Sequence, residues 1–219
     1  MPSTPLLDDF DYTEDPISNG GLWLSPTFTI TDGLTASAVE STVITNGLGG
    51  LGTAVWTPGP YEGQEAWFET APNLDPAEDR LYLRLSTNEL LFNPTGYCLV
   101  YSGGSDLVAW QKLDGSSGDG RGEEIGSGSL GVTFGEPGGI VTARVTGYPI
   151  ATLSCYANDV FAFSITNDAS DLGISSGYIG LGTQRSVQSE GITRFGGGPV
   201  GEGSGPVTTR IRRSRATSW

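Results

Sequence analysis

The chain has 219 residues, a formal charge of −14 and no histidine. That length holds one large β domain or one medium mixed domain. A hydrophobic content of 37% excludes wholesale disorder. The missing histidines exclude imidazole acid–base chemistry, His-activated nucleophiles and His metal sites.

The charge is split. Residues 1–195 carry seven basic and 24 acidic side chains, a balance of −17, whereas residues 196–219 carry four and one, a balance of +3. An acidic body of this kind repels nucleic acid and anionic membrane surfaces. Apolar runs such as Tyr97 to Tyr101 are too short to insert in a bilayer. The opening Met1-Pro2-Ser3-Thr4-Pro5 lacks the basic and apolar regions of a secretory signal, so synthesis and first folding in a cytoplasm are expected.

Along the chain, segment after segment alternates with period two and ends at Gly, Asn, Asp or Pro. Phe28 to Ile30 leads to Asp32-Gly33, a hairpin signal, and then to Leu34 to Val39. Strands are predicted over 52–57 and 64–70. Leu81, Leu83 and Leu85 alternate with Tyr82 and Arg84, which predicts one apolar face. Tyr97 to Tyr101 reads as a strand buried on both sides, followed by Leu107 to Leu113. Ile140 to Thr146, Ile150 to Tyr156 and Val160 to Thr166 form a series, with Phe161, Phe163 and Ile165 predicted to share a face. Tyr178 to Gly182 and 191–195 close it. Short helical turns are expected only around 72–79 and 170–172. About a dozen short strands imply an antiparallel sandwich or barrel.

Residues 114–128 read as a long Gly/Ser/acid loop. Gly196 to Pro206 holds six Gly and two Pro in eleven residues and reads as a linker. The expected division is an acidic N-terminal arm over 1–16, a sandwich over 17–196, and a Gly-rich linker with a basic docking arm over 197–219. Cys98 and Cys155 sit in apolar, strand-like runs, which leaves two buried thiols, one disulfide or a reactive site as readings.

The stretch Leu7-Asp8-Asp9-Phe10-Asp11 with Asn19-Gly20-Gly21-Leu22-Trp23 resembles the start of concanavalin A-like (laminin-G-like) jelly-roll domains. The later Gly147-Tyr148-Pro149-Ile150, Tyr156 to Val160 and Ser176-Gly177-Tyr178-Ile179-Gly180-Leu181 resemble that family's hairpin and closing strand. The resemblance covers residues 6–196. It implies an all-β, antiparallel jelly-roll β-sandwich with extended N- and C-terminal arms. Such domains are frequent in tailed-phage virion proteins and in extracellular glycan enzymes. The leading expectation is a non-enzymatic structural protein of a tailed bacteriophage virion, a minor tail or tail-tip protein. It would pack in multiple copies against other virion proteins and could contact host-surface glycan. A capsid decoration protein and a glycan-binding or glycan-hydrolysing domain are the alternatives.

Site residues follow from chemistry. Glycosidases need two facing carboxylates. The resemblance implies that a glucanase would carry a Glu-x-Asp-x-x-Glu strand, which is absent; Glu65 and Glu69 flanking Trp67 are the nearest acids, and no catalytic residue is assigned. Asp8, Asp9 and Asp11, with Glu14 and Asp15 nearby, could supply oxygen ligands to Ca²⁺, although a solvated acidic arm is the preferred reading. Trp56, Tyr61, Trp67 and Trp110 are candidate sugar-stacking rings. Arg210, Arg212, Arg213, Arg215 and Trp219 would dock on an acidic neighbouring subunit, since Arg pairs bidentately with carboxylates.

Overall fold

A computed structural model describes residues 2–10, 17–24, 28–31, 38–41, 44–45, 48–49, 51–70, 78–87, 94–102, 105–116, 122–132, 134, 139–184 and 192–200. Among these residues there is no helix. In chain order the strands are β1 (Leu6–Asp8), β2 (Trp23–Leu24), β3 (Phe28–Thr31), β4 (Ala38–Ser41), β5 (Ile44–Thr45), β6 (Leu48–Gly49), β7 (Leu51–Tyr61), β8 (Gln64–Thr70) and β9 (Glu78–Leu85). They continue with β10 (Thr95–Ser102), β11 (Leu107–Asp114), β12 (Glu123–Ser129), β13 (Ile140–Thr146), β14 (Ile150–Ala157), β15 (Val160–Asp168), β16 (Gly177–Gln184) and β17 (Ile192–Pro199).

Two antiparallel sheets are formed, one in the order β1-β17-β8-β13-β14-β15 and the other β12-β11-β10-β9-β16-β7-β2. The ribbons β3-β4 and β5-β6 are separate. Period-two patterning dictates what lies between the sheets, because alternate side chains share a face. Ala66 and Phe68 of β8, Val141, Ala143 and Val145 of β13, and Ala151, Leu153 and Cys155 of β14 meet Leu81 and Leu83 of β9, Tyr97, Leu99 and Tyr101 of β10, and Trp110 of β11. A second buried cluster joins Val55, Tyr82, Leu85, Cys98, Val100 and Leu113. β10 therefore contributes to both clusters, as its unbroken apolar run predicts. The cysteines fall in different clusters and both are free thiols, which removes the disulfide reading.

Several segments depart from the sequence reading, each for a physical reason. Leu85 does not share a face with Leu81 and Leu83. Arg84 adopts a φ of 50°, the ladder with β16 slips there, and Leu85 moves to the Tyr82 side. Phe161 does not join Phe163 and Ile165 on the core, because the β14–β15 register shifts between Cys155 and Tyr156. Residues 123–129, expected within a loop, form β12. Its glycines make room for the opposite sheet: a methyl added at Gly128 would lie 2.9 Å from the Phe163 ring. The run 196–199, expected as linker, is the end of β17 and pairs with 64–67 of β8. At the other terminus β1 pairs with β17 and Phe10 is a core residue, so residues 6–10 of the expected arm belong to the sandwich. Residues 170–173 form one turn, with Leu172 N donating to Ala169 O at 3.2 Å and Gly173 N to Ser170 O at 3.3 Å. The expected turn at 72–79 falls largely outside the described residues, as does Asp32-Gly33; the β3–β4 register pairs Thr31 with Ala38.

Candidate functional site

Three of the four candidate stacking rings belong to the interior. Trp56 is 2% exposed, Trp67 6% and Trp110 0%. Trp56 packs edge-on against Trp23, with ring centroids 5.2 Å apart. Trp67 lies on the outer side of β8, yet its Nε1 donates to Thr4 O at 3.4 Å and the N-terminal segment closes over it. Their flat faces serve packing rather than a sugar.

The acids are equally committed. Glu65 is fully buried. Its Oε1 accepts from Thr4 N at 3.0 Å and Thr4 Oγ1 at 2.9 Å, and its Oε2 accepts from Ser3 Oγ at 2.9 Å and Arg144 Nε at 3.0 Å. Glu69 accepts from Arg194 Nη1 at 3.1 Å. Neither arrangement presents two open carboxylates across a groove. Asp8 is buried, and its carboxylate accepts from Phe10 N at 2.9 Å, Asn19 Nδ2 at 2.9 Å and Trp23 Nε1 at 2.7 Å. Three donors aimed at those oxygens are the surroundings a cation would be repelled by, so Asp8 does not fit the role of Ca²⁺ ligand. Asp9 is exposed beside it, and Asp11 lies outside the described residues. Among the described residues no three acidic or thiol groups gather as a metal-holding cluster.

Tyr61 is different, because it is partly exposed at one end of the sandwich. It closes β7 just before the turn into β8. Arg84, displaced by its bulge, reaches that end. Its Nε donates to Glu62 O at 3.1 Å and its Nη2 to Gly147 O at 2.8 Å. One guanidinium thus ties the turn carrying Tyr61 to the turn carrying Tyr148. Arg84 is 1% exposed, and its Nη1 has no hydrogen-bond partner. Burial lowers its pKa. Gln64 fixes the same turn from inside: its Nε2 donates to Tyr61 O at 2.8 Å and to Gly177 O, and its Oε1 accepts from Arg84 N.

A third turn completes the end. Ala169 N donates to Pro149 O at 2.8 Å, and Ile150 pairs with Asp168 across β14–β15. Tyr148 is 51% exposed there and Ile150 53%. Around them stand Asn167, Asp168, Asp171 and Lys112. Tyr97 OH donates to Asn167 Oδ1 at 3.1 Å, and Lys112 Nζ pairs with Asp171. Burial pushes the Tyr97 hydroxyl up to about 12, with Arg84 opposing and Asp171 and Asp168 reinforcing the shift. Hydrogen bonds from Ser170 hold the Asp168 carboxyl below its ordinary value. Burial also raises the pKa of Tyr61. The result is two tyrosines on adjoining pinned turns beside amide, carboxylate and ammonium groups.

Tyr61 is the single candidate ring that the structure leaves at this end. Gly147-Tyr148-Pro149, a turn signal around an aromatic, could have pointed to Tyr148. Nothing local in the sequence marks Arg84, whose role depends on two turns distant from it in the chain.

No family model matches this sequence, and no curated protein matches it. Solved structures do match in fold. The carbohydrate-binding module CBM66 from Bacillus subtilis is 14% identical, covers 82% of this chain and 95% of its own, and superposes with a TM-score of 0.52. The potassium-bound carbohydrate recognition domain of Emp46p is 9% identical over 88% of this chain and 95% of its own, with a TM-score of 0.56. A legume lectin-like domain from Entamoeba histolytica is 12% identical over 89% and 99%, with a TM-score of 0.53. The fold is therefore an antiparallel jelly-roll β-sandwich with a concanavalin A-like architecture. At these identities the likeness concerns the fold.

Proposed function

We propose that this protein is a non-catalytic glycan-binding domain whose site is the Tyr61–Tyr148 end. The observation that carries the reading is the Arg84 guanidinium, which holds the Glu62 and Gly147 carbonyls and so fixes two tyrosine-bearing turns side by side. Sugar rings offer apolar C–H faces to aromatic rings and hydroxyls to Asn, Asp and Lys, and this end presents both kinds of partner. Pinning the turns beforehand removes ordering cost on binding. The reading is supported by fold neighbours described as carbohydrate-binding.

Titration against a glycan panel tests it. The wild type binds at least one neutral oligosaccharide, and Tyr148→Ala abolishes binding in a variant whose circular dichroism matches the wild type. A blank panel, or binding indifferent to Tyr148→Ala and Asn167→Ala together, overturns it.

The setting we propose is the surface of a tailed-phage particle, at the tail or as a decoration of the capsid. The motif resemblance over 6–196 and the contrast between a −17 body and a +3 tail support this placement. Mass spectrometry of purified particles tests it, and absence of the chain from them overturns it.

A further inference from the structure

The sheets have four outer edges, and they are not equivalent. β1 has three residues and β2 two, too short for an added strand to hold. β15 has nine, opening with Val160 at 69% exposure and Phe161 at 56%, and carries a single acid, Asp168. β12 has seven residues, pairs among the described residues with β11 alone, and carries no Lys, Arg or Pro. Lys and Pro are the commonest guards of an edge, and acidic guards deter only strands that bring no cations. β12 instead begins with Glu123 and Glu124, both exposed, and the exposed Asp114 at the end of β11 lies at the same end. Backbone hydrogen-bonding groups along its outer edge are thus combined with negative charge.

The chain also contains the chemical complement of that edge. Outside the described residues, Val207-Thr208-Thr209-Arg210-Ile211-Arg212-Arg213 joins four β-branched residues to three arginines and has no acid. β-Branched residues suit an extended strand, and a peptide joining a sheet edge gains main-chain hydrogen bonds plus side-chain specificity. We propose that the C-terminal basic segment of one copy adds as a strand to the β12 edge of a second copy, with its arginines pairing Glu123 and Glu124.

Reach decides between a copy's own edge and its neighbour's. Val200 is tied to Gly63, its N donating to Gly63 O at 2.9 Å. β17 stands four strand steps from β15, about 19 Å, and β12 lies in the other sheet about 10 Å away, so a straight line through the core is roughly 21 Å. Residues 201–206 extend to about 24 Å at most, so a copy's own edge is reached only by a nearly taut, straight linker, whereas a neighbour's edge sets no such limit. The segment therefore docks in trans. Head-to-tail contacts of this kind build rings or filaments.

The test uses the full chain in sedimentation velocity at low salt over a wide concentration range. Wild type associates. Glu123→Lys with Glu124→Lys gives monomers, as does changing Arg210, Arg212, Arg213 and Arg215 to Glu. Combining both sets restores association. The combined variant is a stringent control. The two Lys changes add four charges and the four Glu changes remove eight, taking the formal charge from −14 to −18, so general repulsion alone would keep it monomeric. Each variant must keep the wild-type melting temperature. In the associated wild type, hydrogen exchange across 122–130 slows, and in the reversed-arm variant it does not. A monomeric wild type, association indifferent to either reversal, or failure of the combined variant to associate overturns the docking. Association without slowed exchange in β12 overturns the strand addition.

Discussion

Gly196 meets the indole of Trp67 so closely that a methyl on its Cα would lie 2.1 Å from Trp67 Cε2. The ring is held from above by Thr4 and cannot retreat. Gly196→Ala is therefore expected to cost about 1–3 kcal/mol, the range for forced overpacking. Urea unfolding measures it. An unchanged midpoint would show that β17 gives way at no cost.

The same strand dictates where the chain tolerates cutting. Gly197 N donates to Pro5 O at 3.1 Å, Pro199 pairs with Gln64, and Val200 N reaches Gly63 O. A stop after Val200 should leave the melting temperature within a few degrees of the full chain. A stop after Gly196 removes half of a central pairing and should lower it by clearly more. Equal melting temperatures for the two truncations would place the end of the sandwich at 196 after all.

Glu65 and Arg144 yield a third expectation. Arg144→Ala leaves a fully buried carboxylate without its cation, and breaking such a pair costs about 3–5 kcal/mol. Tyr156 loses a partner too, since the guanidinium carbon sits 4.9 Å from its ring centroid. Glu65→Gln should also destabilise, because the new amide directs hydrogens at groups that themselves donate. Both are read by denaturant unfolding. Wild type should release no reducing ends from β-glucans; release that disappears in Glu65→Gln or Glu69→Gln would make this an enzyme.

Alkaline pH should unfold the protein through its buried acids of high pKa. Burial pushes Cys98 from 9.0 up to about 11 and Cys155 up to about 12, and pushes Tyr97 and Tyr101 from 10.0 up to about 12. The unfolded chain sheds these protons first, so between about pH 9 and 12 it binds fewer protons than the folded one and stability falls as pH rises. Below pH 9 this contribution is fully present. Melting temperature against pH should be flat to that point and then decline, less steeply in a Cys98→Ala, Cys155→Ala variant. Iodoacetamide should leave both thiols unmodified until urea is added; rapid native alkylation would contradict their burial.

Much of the fold was readable because period-two alternation survives wherever a strand faces one core. Val141, Ala143 and Val145 opposite Ala157, Cys155 and Leu153 are the clearest case. Bulges broke the rule: Leu85 and Phe161 changed sides through single-residue slips that composition does not announce. Glycine misled in the opposite direction. In β12 and β17 it reads as linker, whereas Phe163 and Trp67 occupy the space that missing side chains leave. The tryptophans proposed as a sugar platform were needed inside. The candidate site was legible only at Tyr61, because its other parts come from turns that Arg84 joins across long stretches of chain.

Because β1 and β17 lie side by side, with Leu6 opposite Gly196, the sandwich begins and ends at one place. A polypeptide of this kind is close to being a closed loop. Joining the region of Thr4 to that of Val200 with a short spacer and reopening the chain at the Asn158–Asp159 turn should give a circular permutant that keeps the strand order within each sheet. By the same token, the whole domain is suited to insertion into a surface loop of an unrelated host protein, since its entry and exit demand little separation there.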